Sequence, residues 1–376
     1  MLDSVYIHVP WCAARCPYCS FNVYVDQDPP YERWADGVLR DWRRVEKHTG
    51  DLRSVYFGGG TPSLAPPQTI ARILSEIAPS TDAEITLEAN PATITPARLV
   101  DFRAAGINRV SVGVQTFSPR SARLLSRGHT VHAARELVGM VAAADFTSWS
   151  VDIIFALPGQ TLDELHADLD AILATGPPHV SLYGLTIKEG TPFERAHKQG
   201  RLVLPDGDTW RAQYDLIVST LATAGIHRYE VSSFARAGHR SVHNEATWRG
   251  GHYAGLGPGA HGFLPDGTRT KMHDPLEEWL ADPAGTSERP DPWQTAVDHL
   301  LSTLRHVDGI ASDTLTRRTG YRIRPETVRS LIVGGLLQLE DNHLRLTEAG
   351  WPLADGITWR LCEALIPEGR LPSGSA

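Results

Sequence analysis

The order of strand-like and helix-like segments predicts an α/β chain: a partial (β/α)6 barrel followed by a small C-terminal α+β domain. Two observations carry this. Over residues 1–230, short β-rich runs alternate with longer helical patterns through six units. Residues 293–366 instead give helical patterns followed by two short apolar runs around a turn.

The strand-like runs are residues 4–9, 53–57, 84–89, 109–114, 148–154 and 179–185. Helical patterns cover 32–47, 66–77, 96–105, 132–143 and 162–174, with another at 208–224. Pro66 and Pro96 suit helix starts, and Gly106 and Gly176 suit helix stops. Repeated strand–helix units imply parallel strands joined by right-handed crossovers. Six units fall short of the eight of a closed barrel, so the barrel is expected to be open.

Residues 231–281 break the alternation and read as a Gly/His-rich connecting segment. Glycines crowd 250–259, which reads as irregular chain rather than a regular element. Residues 282–292, rich in Pro, Asp, Glu and Gly, read as a linker. Beyond it, helical patterns at 293–304 and 325–335 precede a hairpin over 335–347, turning at Asp341-Asn342. This order resembles a winged helix, and the negative net charge favours a protein-contact role for it. Residues 367–376 read as a disordered tail.

The chain has 376 residues, 41% of them hydrophobic, enough for at least two domains with a sizeable core. Its formal net charge is −8 with no basic stripe, which argues against nucleic acid as a partner. No apolar run approaches the roughly 20 residues of a membrane span. The start carries neither a basic nor an apolar leader region, so a cytoplasmic location is expected.

Three of the four cysteines, Cys12, Cys16 and Cys19, fall in a C-x3-C-x2-C pattern just after the first strand. Clustered thiols in a large chain without an export signal read as metal ligands rather than disulfide partners. Three close thiolates suit three irons of a cubane cluster, leaving the fourth iron open. The competing reading is structural zinc, which needs a fourth ligand. Cys362 is remote and lies in an apolar helical pattern, where a buried thiol is expected. His8 is the other nitrogen available, although strand alternation explains it equally well.

Further chemistry-bearing residues stand at the ends of successive predicted strands. Gly58-Gly59-Gly60-Thr61 follows the second, Glu88 lies in the third and Gln115 ends the fourth. Asp152 lies in the fifth and Gly184 ends the sixth. In parallel α/β architecture these ends share one face, where ligands bind. Glycines admit backbone amides to a charged ligand, and carboxylates hold an ammonium or ribose hydroxyls. Singly, each has a plainer reading. The glycines alone form a turn, whereas Asp152 within a strand is harder to explain as structure, because burying a charge is costly unless it is paired.

The cysteine spacing, with aromatic Tyr18 before the third thiol, resembles the radical S-adenosylmethionine (SAM) superfamily. That resemblance implies a [4Fe–4S] cluster on the three thiols. It also implies SAM chelated at the open iron and cleaved by one electron to a 5′-deoxyadenosyl radical. The series of strand-end motifs is similar to one branch, the oxygen-independent coproporphyrinogen III dehydrogenases and the HemW-type haem chaperones. By that resemblance Tyr6, Gly59 and Glu88 contact the SAM on the cluster. Tyr18, Gly60, Thr61, Gln115, Arg127, Asp152 and Gly184 match positions that contact a second SAM in the dehydrogenase.

Within the branch, Phe21 stands where the dehydrogenase pattern carries a further cysteine, and the chain begins close to its first strand. Residues 229–236, Trp248-Arg249-Gly250-Gly251 and 255–261 resemble chaperone motifs. His243-Asn244-Glu245-Ala246-Thr247-Trp248 resembles the haem motif H-N-x-x-Y-W, with Thr247 in place of Tyr. The resemblance makes His243 an imidazole for iron and Trp248 an apolar face for the macrocycle. His252 and His261 are alternatives, and His261 could instead line the SAM pocket.

The implied function is binding haem and transferring it to apo-haemoproteins, respiratory proteins at the membrane among them. A radical SAM methyltransferase is a second reading, motivated by Thr247 and by Ser20 at a position where the chaperone pattern has Asp. Coproporphyrinogen decarboxylation is a third, disfavoured by Phe21.

Overall fold

The structure, a computed structural model, describes residues 1–126, 128, 130–281 and 285–369. Six parallel strands appear where the apolar runs predicted them: β1 (Leu2–Val9), β2 (Thr49–Gly59), β3 (Glu84–Ala89), β4 (Arg109–Gln115), β5 (Ser148–Phe155) and β6 (His179–Gly184). They pair in sequence order, β1 through β6, all in parallel. The crossovers contain α1 (Tyr31–Val45), α2 (Pro67–Ile77), α3 (Pro96–Ala104), α4 (Pro119–Leu124), α5 (Val131–Ala143) and α6 (Leu162–Leu173). Two more helices, α7 (Pro192–Lys198) and α8 (Gly207–Thr223), follow β6. Of these eight helices, α4 and α7 have no counterpart among the helical patterns in the sequence; each is shorter than two to three turns, too brief to show a helical period.

Side chains on the strands alternate in character. Val5, Ile7 and Val9 of β1, and Val55 and Phe57 of β2, are fully buried in the apolar core. The alternate positions carry polar groups: Ser4, Tyr6 and His8, then Ser54 and Tyr56. Successive residues of a strand face opposite sides, so the apolar set meets the helices and the polar set faces inward. Polar N-caps start several helices, including Thr95, Ser118 and Thr130. Thr161 forms a capping box with Glu164 at the start of α6.

Beyond β6 the sheet continues. The strands β7 (His227–Arg228) and β8 (Ser233–Ala235) extend it antiparallel past β6. The helix α9 (Val242–Trp248) follows, then β9 (Tyr253–Leu256), which pairs parallel with β1. β10 (His261–Phe263) and β11 (Arg269–Lys271) continue antiparallel, ahead of α10 (Leu276–Ala281). The segment 231–281 is therefore integrated into the core sheet, and 250–259 is not irregular throughout. Its glycines serve close packing: a Cβ on Gly255 would lie 1.9 Å from the His261 carbonyl oxygen. The expected linker also contains a strand, β12 (Thr286–Glu288), paired with β11.

The C-terminal part contains α11 (Pro292–Thr303), β13 (Ile310–Ala311), α12 (Ser312–Thr319), β14 (Tyr321–Ile323) and α13 (Pro325–Val333). The hairpin is β15 (Leu337–Glu340) and β16 (His343–Leu346), joined by Asp341 and Asn342 at φ 48° and 64°. Two left-handed central residues are what a tight hairpin turn needs. α14 (Ala354–Glu363) and β17 (Leu365–Pro367) complete it, with β17 pairing β14. Cys362 is buried in α14, as its apolar pattern indicated. Pro367 pairs in β17 and the Glu368 amide donates to the Gly320 carbonyl at 2.8 Å, so the expected disorder does not begin at Pro367. Positions 370–376 lie outside the described residues. The unit docks on the core through residues 229–231: the Val231 amide bonds the Arg305 carbonyl, and the Val307 amide bonds the Tyr229 carbonyl, each at 3.0 Å.

Candidate functional site

The three cysteines lie in the loop between β1 and α1. Its two ends are clamped together: the Cys12 amide donates to the Tyr24 carbonyl at 2.9 Å, and the Tyr24 amide donates to the Pro10 carbonyl at 2.7 Å. Trp11, fully buried, anchors the near end edge-on against Tyr31 and Trp34. The far side rests on the barrel, with the Phe193 amide bonded to the Pro17 carbonyl at 3.1 Å and Tyr18 packed on the Phe193 ring. Each of the three cysteines is partly exposed on this fixed frame. Thr61 Oγ1 donates to Cys12 Sγ at 3.5 Å.

The donor set fits an iron–sulfur cubane. Three thiolates on one short, clamped loop can each hold a separate iron. When bound, such a cluster supplies one-electron chemistry to SAM.

The glycine run binds β2 to this loop. The Gly60 amide donates to the Val9 carbonyl at 2.8 Å, and the Thr61 amide donates to the Trp11 carbonyl at 2.7 Å. A Cβ on Gly60 would come within 2.6 Å of the Trp11 carbonyl oxygen. Gly59, at φ +115°, lies flat against His8, and a Cβ there would stand 2.4 Å from the imidazole. Its amide donates to Glu88 Oε2 at 3.1 Å.

A cavity of about 780 Å³ opens beside the loop. Tyr6, Tyr56, Gly59, Glu88, His243 and Trp248 are among its walls. Side chains from β1, β2, β3, β6, α9 and β9 line this one space, which is the inward curvature of an open barrel. Glu88 accepts from Tyr56 Oη at 2.9 Å as well as from Gly59. Burial, with the nearby Asp152 carboxylate adding to it, pushes Glu88 up to about 7 despite those two donors. A half-buried carboxylate with a raised pKa gains from a cationic ligand, such as an amino acid ammonium.

Tyr56 is a site residue that the sequence did not single out, and His8, weighed there only as a zinc nitrogen, is another. Tyr6 Oη lies 3.0 Å from His8 Nδ1, and His8 Nε2 lies 2.8 Å from the Asn22 carbonyl oxygen. A carbonyl only accepts, so Nε2 carries the proton and Nδ1 accepts from the phenol. His8 thus ties the cavity wall to the cysteine loop. Asn22 extends the tie, its side-chain amide donating to the carbonyls of Pro258 (3.3 Å) and Asp274 (3.0 Å).

The candidate residues divide. Tyr6, Gly59, Glu88, His243 and Trp248 line the cavity; Tyr18, Gly60, Thr61, Gln115, Asp152 and Gly184 do not. Asp152 is held by Ser111 (2.7 Å) and Ser150 (2.9 Å), and burial raises its pKa. Gln115 sits at a register shift between β4 and β5 with φ 71°, a left-handed conformation uncommon for a non-glycine residue. Gly184 abuts Trp210, where a Cβ would stand 3.0 Å from the indole nitrogen. Arg127 lies outside the described residues.

His243 occupies the first turn of α9, not a solvated loop. Ser241 caps the helix, and the Glu84 carboxylate accepts from the Ser241 hydroxyl and from the amides of Val242 and His243 at 3.1–3.3 Å. Arg109, fully buried, stands 3.6 Å from Glu84. Helix N-termini attract anions, so this carboxylate fixes α9 against the barrel interior. The His243 ring stacks on Tyr56 at 5.0 Å and meets Ser54 Oγ at 3.2 Å through Nδ1. Burial lowers its pKa to about 4, leaving a neutral imidazole at neutral pH. Thr247 lines the cavity but turns its hydroxyl back to the His243 carbonyl at 3.0 Å. Of the two alternatives, His261 lines the cavity, whereas His252 packs on Phe263.

A (β/α)6 core whose clamped three-thiol loop opens on a strand-end cavity defines a radical SAM site. Residues 6–172 match the model of the radical SAM superfamily. The heme chaperone HemW of Escherichia coli is 32% identical, the alignment covering 92% of this chain and 94% of that protein. HemW of Mycobacterium tuberculosis is 33% identical over 94% of this chain and 93% of its own length. The mitochondrial radical S-adenosyl methionine domain-containing protein 1 of Danio rerio is 35% identical over 94% of this chain and 85% of its own. Coproporphyrinogen III oxidase (HemN) of E. coli shares the fold, with a TM-score of 0.79 at 19% identity, covering 95% of this chain and 89% of that one. The chain belongs to the HemW family of radical SAM proteins, a membership that implies a [4Fe–4S] cluster and SAM. No helix among the described residues is long and apolar enough to cross a membrane.

Proposed function

We propose that this chain is a haem chaperone that keeps a radical SAM core. Cys12, Cys16 and Cys19 hold the cluster. Glu88, Gly59 and Tyr6 receive the SAM on it, with Glu88 facing the ammonium. His243 and Trp248 receive haem, which passes to apo-haemoproteins. The observation that carries this reading is the placement of His243. A neutral imidazole, stacked on Tyr56 and fixed by Ser54, stands in the wall of the cavity that Glu88 also lines. Neutral imidazole is the form that ligates iron. The exposed Phe21 at the same cavity supports the chaperone over the decarboxylase, because it offers no thiol there.

The test is transfer. Protein with a reconstituted cluster is loaded with haem under anaerobic conditions and mixed with an apo-haemoprotein separable by size. Haem should move to the acceptor faster than haem added from free solution. No haem uptake by the loaded-cluster protein, or transfer no faster than from free haem, counts against the reading.

A further inference from the structure

The cavity brings together two groups of residues that the sequence keeps far apart. Tyr6, Gly59 and Glu88 are the candidate SAM wall, and His243, Thr247 and Trp248 are the candidate haem wall. They do not form separate compartments. Tyr56 belongs to both: its hydroxyl donates to Glu88 Oε1 at 2.9 Å, and its ring stacks on His243 at 5.0 Å. Tyr6 lies 6.3 Å from His243, ring centre to ring centre. A group bound at Glu88 and a group bound at His243 are thus one aromatic ring apart.

The volume sets a limit. About 780 Å³ falls within the range of roughly 300–1,000 Å³ typical of a pocket for a single cofactor-sized ligand. From this we propose that SAM and haem compete for this chamber, so that SAM occupancy controls haem loading. The inference rests on the haem-chaperone reading and adds its regulation: protein carrying SAM is closed to haem, and loss of SAM opens it. Linkage makes the effect reciprocal, so haem must weaken SAM by the same factor.

The experiment titrates hemin into cluster-reconstituted, full-length protein by difference absorbance, at a series of fixed SAM concentrations. Labelled SAM retained by the protein is measured in parallel. Competition predicts that at SAM about ten times above its own Kd the apparent haem Kd rises about elevenfold, and that excess hemin displaces the labelled SAM. In Glu88→Gln, with weakened SAM binding, the same SAM concentration should raise the haem Kd much less. Haem affinity that is unchanged or increased at saturating SAM, with both ligands bound, overturns the inference and leaves the chaperone reading standing. Absence of hemin binding without SAM overturns the chaperone reading and the inference together.

Discussion

Glu88 and His243 are joined through one side chain, Tyr56, which donates its phenol to the carboxylate at 2.9 Å and stacks its ring on the imidazole at 5.0 Å. The two residues are distant in sequence and lie on β3 and α9, yet this contact makes them parts of one chamber.

Glu88 makes SAM binding depend on pH. Its carboxyl is raised by burial to about 7, so the anion that holds an ammonium is lost as pH falls through 7. SAM affinity measured by equilibrium dialysis should drop between pH 8 and pH 6. In Tyr56→Phe, which removes a hydrogen bond to the anion, the midpoint should move to higher pH. The stability of the ligand-free protein runs the other way. A carboxyl raised above its unfolded value of 4.5 binds more protons folded than unfolded, so its contribution is full below pH 4.5 and lost as pH rises through 7. Glu88→Gln should therefore stabilise the ligand-free protein at pH 8, by at most about 3 kcal/mol since the carboxylate borders the cavity. An unchanged or lower denaturation midpoint for the variant at pH 8 would count against this environment.

Gly59→Ala should lose SAM before it loses the fold. The residue sits at φ +115° against His8, so a methyl both strains the backbone and pushes the imidazole away from Tyr6 and Asn22. Holding a non-glycine residue in a sparsely populated positive-φ region costs about 1–3 kcal/mol, and the variant should melt lower while binding SAM at least tenfold more weakly. SAM affinity equal to wild type would show that His8 does not position this wall.

Glu84→Ala strikes the seat of α9. It leaves Arg109 buried without its carboxylate and removes the acceptor for two backbone amides and the Ser241 hydroxyl. Breaking such a buried pair costs about 3–5 kcal/mol. Denaturant unfolding should reveal that loss, and any folded fraction should bind haem weakly because His243 is no longer held. A loss below about 1 kcal/mol, the range of surface pairs, would contradict the burial assigned to this contact.

Thr247→Tyr should strengthen haem binding. Thr247 faces the cavity, and its hydroxyl is spent on the His243 carbonyl. A ring at this position adds an apolar face beside Trp248, and a fewfold decrease in the hemin Kd is expected, with the cluster spectrum unchanged. Weaker binding in the variant would indicate that the cavity has no room for the ring.

The sheet was legible because its parallel strands are dense in Val, Ile, Leu and Phe, and the cysteine loop because C-x3-C-x2-C has few other meanings. β9 was not, since Tyr253–Leu256 is four residues long, and its Gly255 reads as a turn until the neighbouring chain that requires it is seen. α9 was missed for a related reason. Seven residues show no helical period, and beyond its local Ser241 cap the helix is secured by Glu84, a tertiary partner invisible locally. His8 and Tyr56 illustrate a further limit. A polar residue at alternate strand positions looks alike whether it fills the barrel or faces water, and only the closure of the sheet decides. The division of the candidate residues into those lining the cavity and those outside it depends on the same closure.

The claim that His243 receives haem is tested most directly by hemin titration of cluster-reconstituted protein, wild type against His243→Ala, without SAM. Wild type should show saturable binding of one haem with a ligand-field spectrum, and the variant a changed spectrum and an affinity at least tenfold lower. Identical spectra and equal affinity in the two proteins would contradict it.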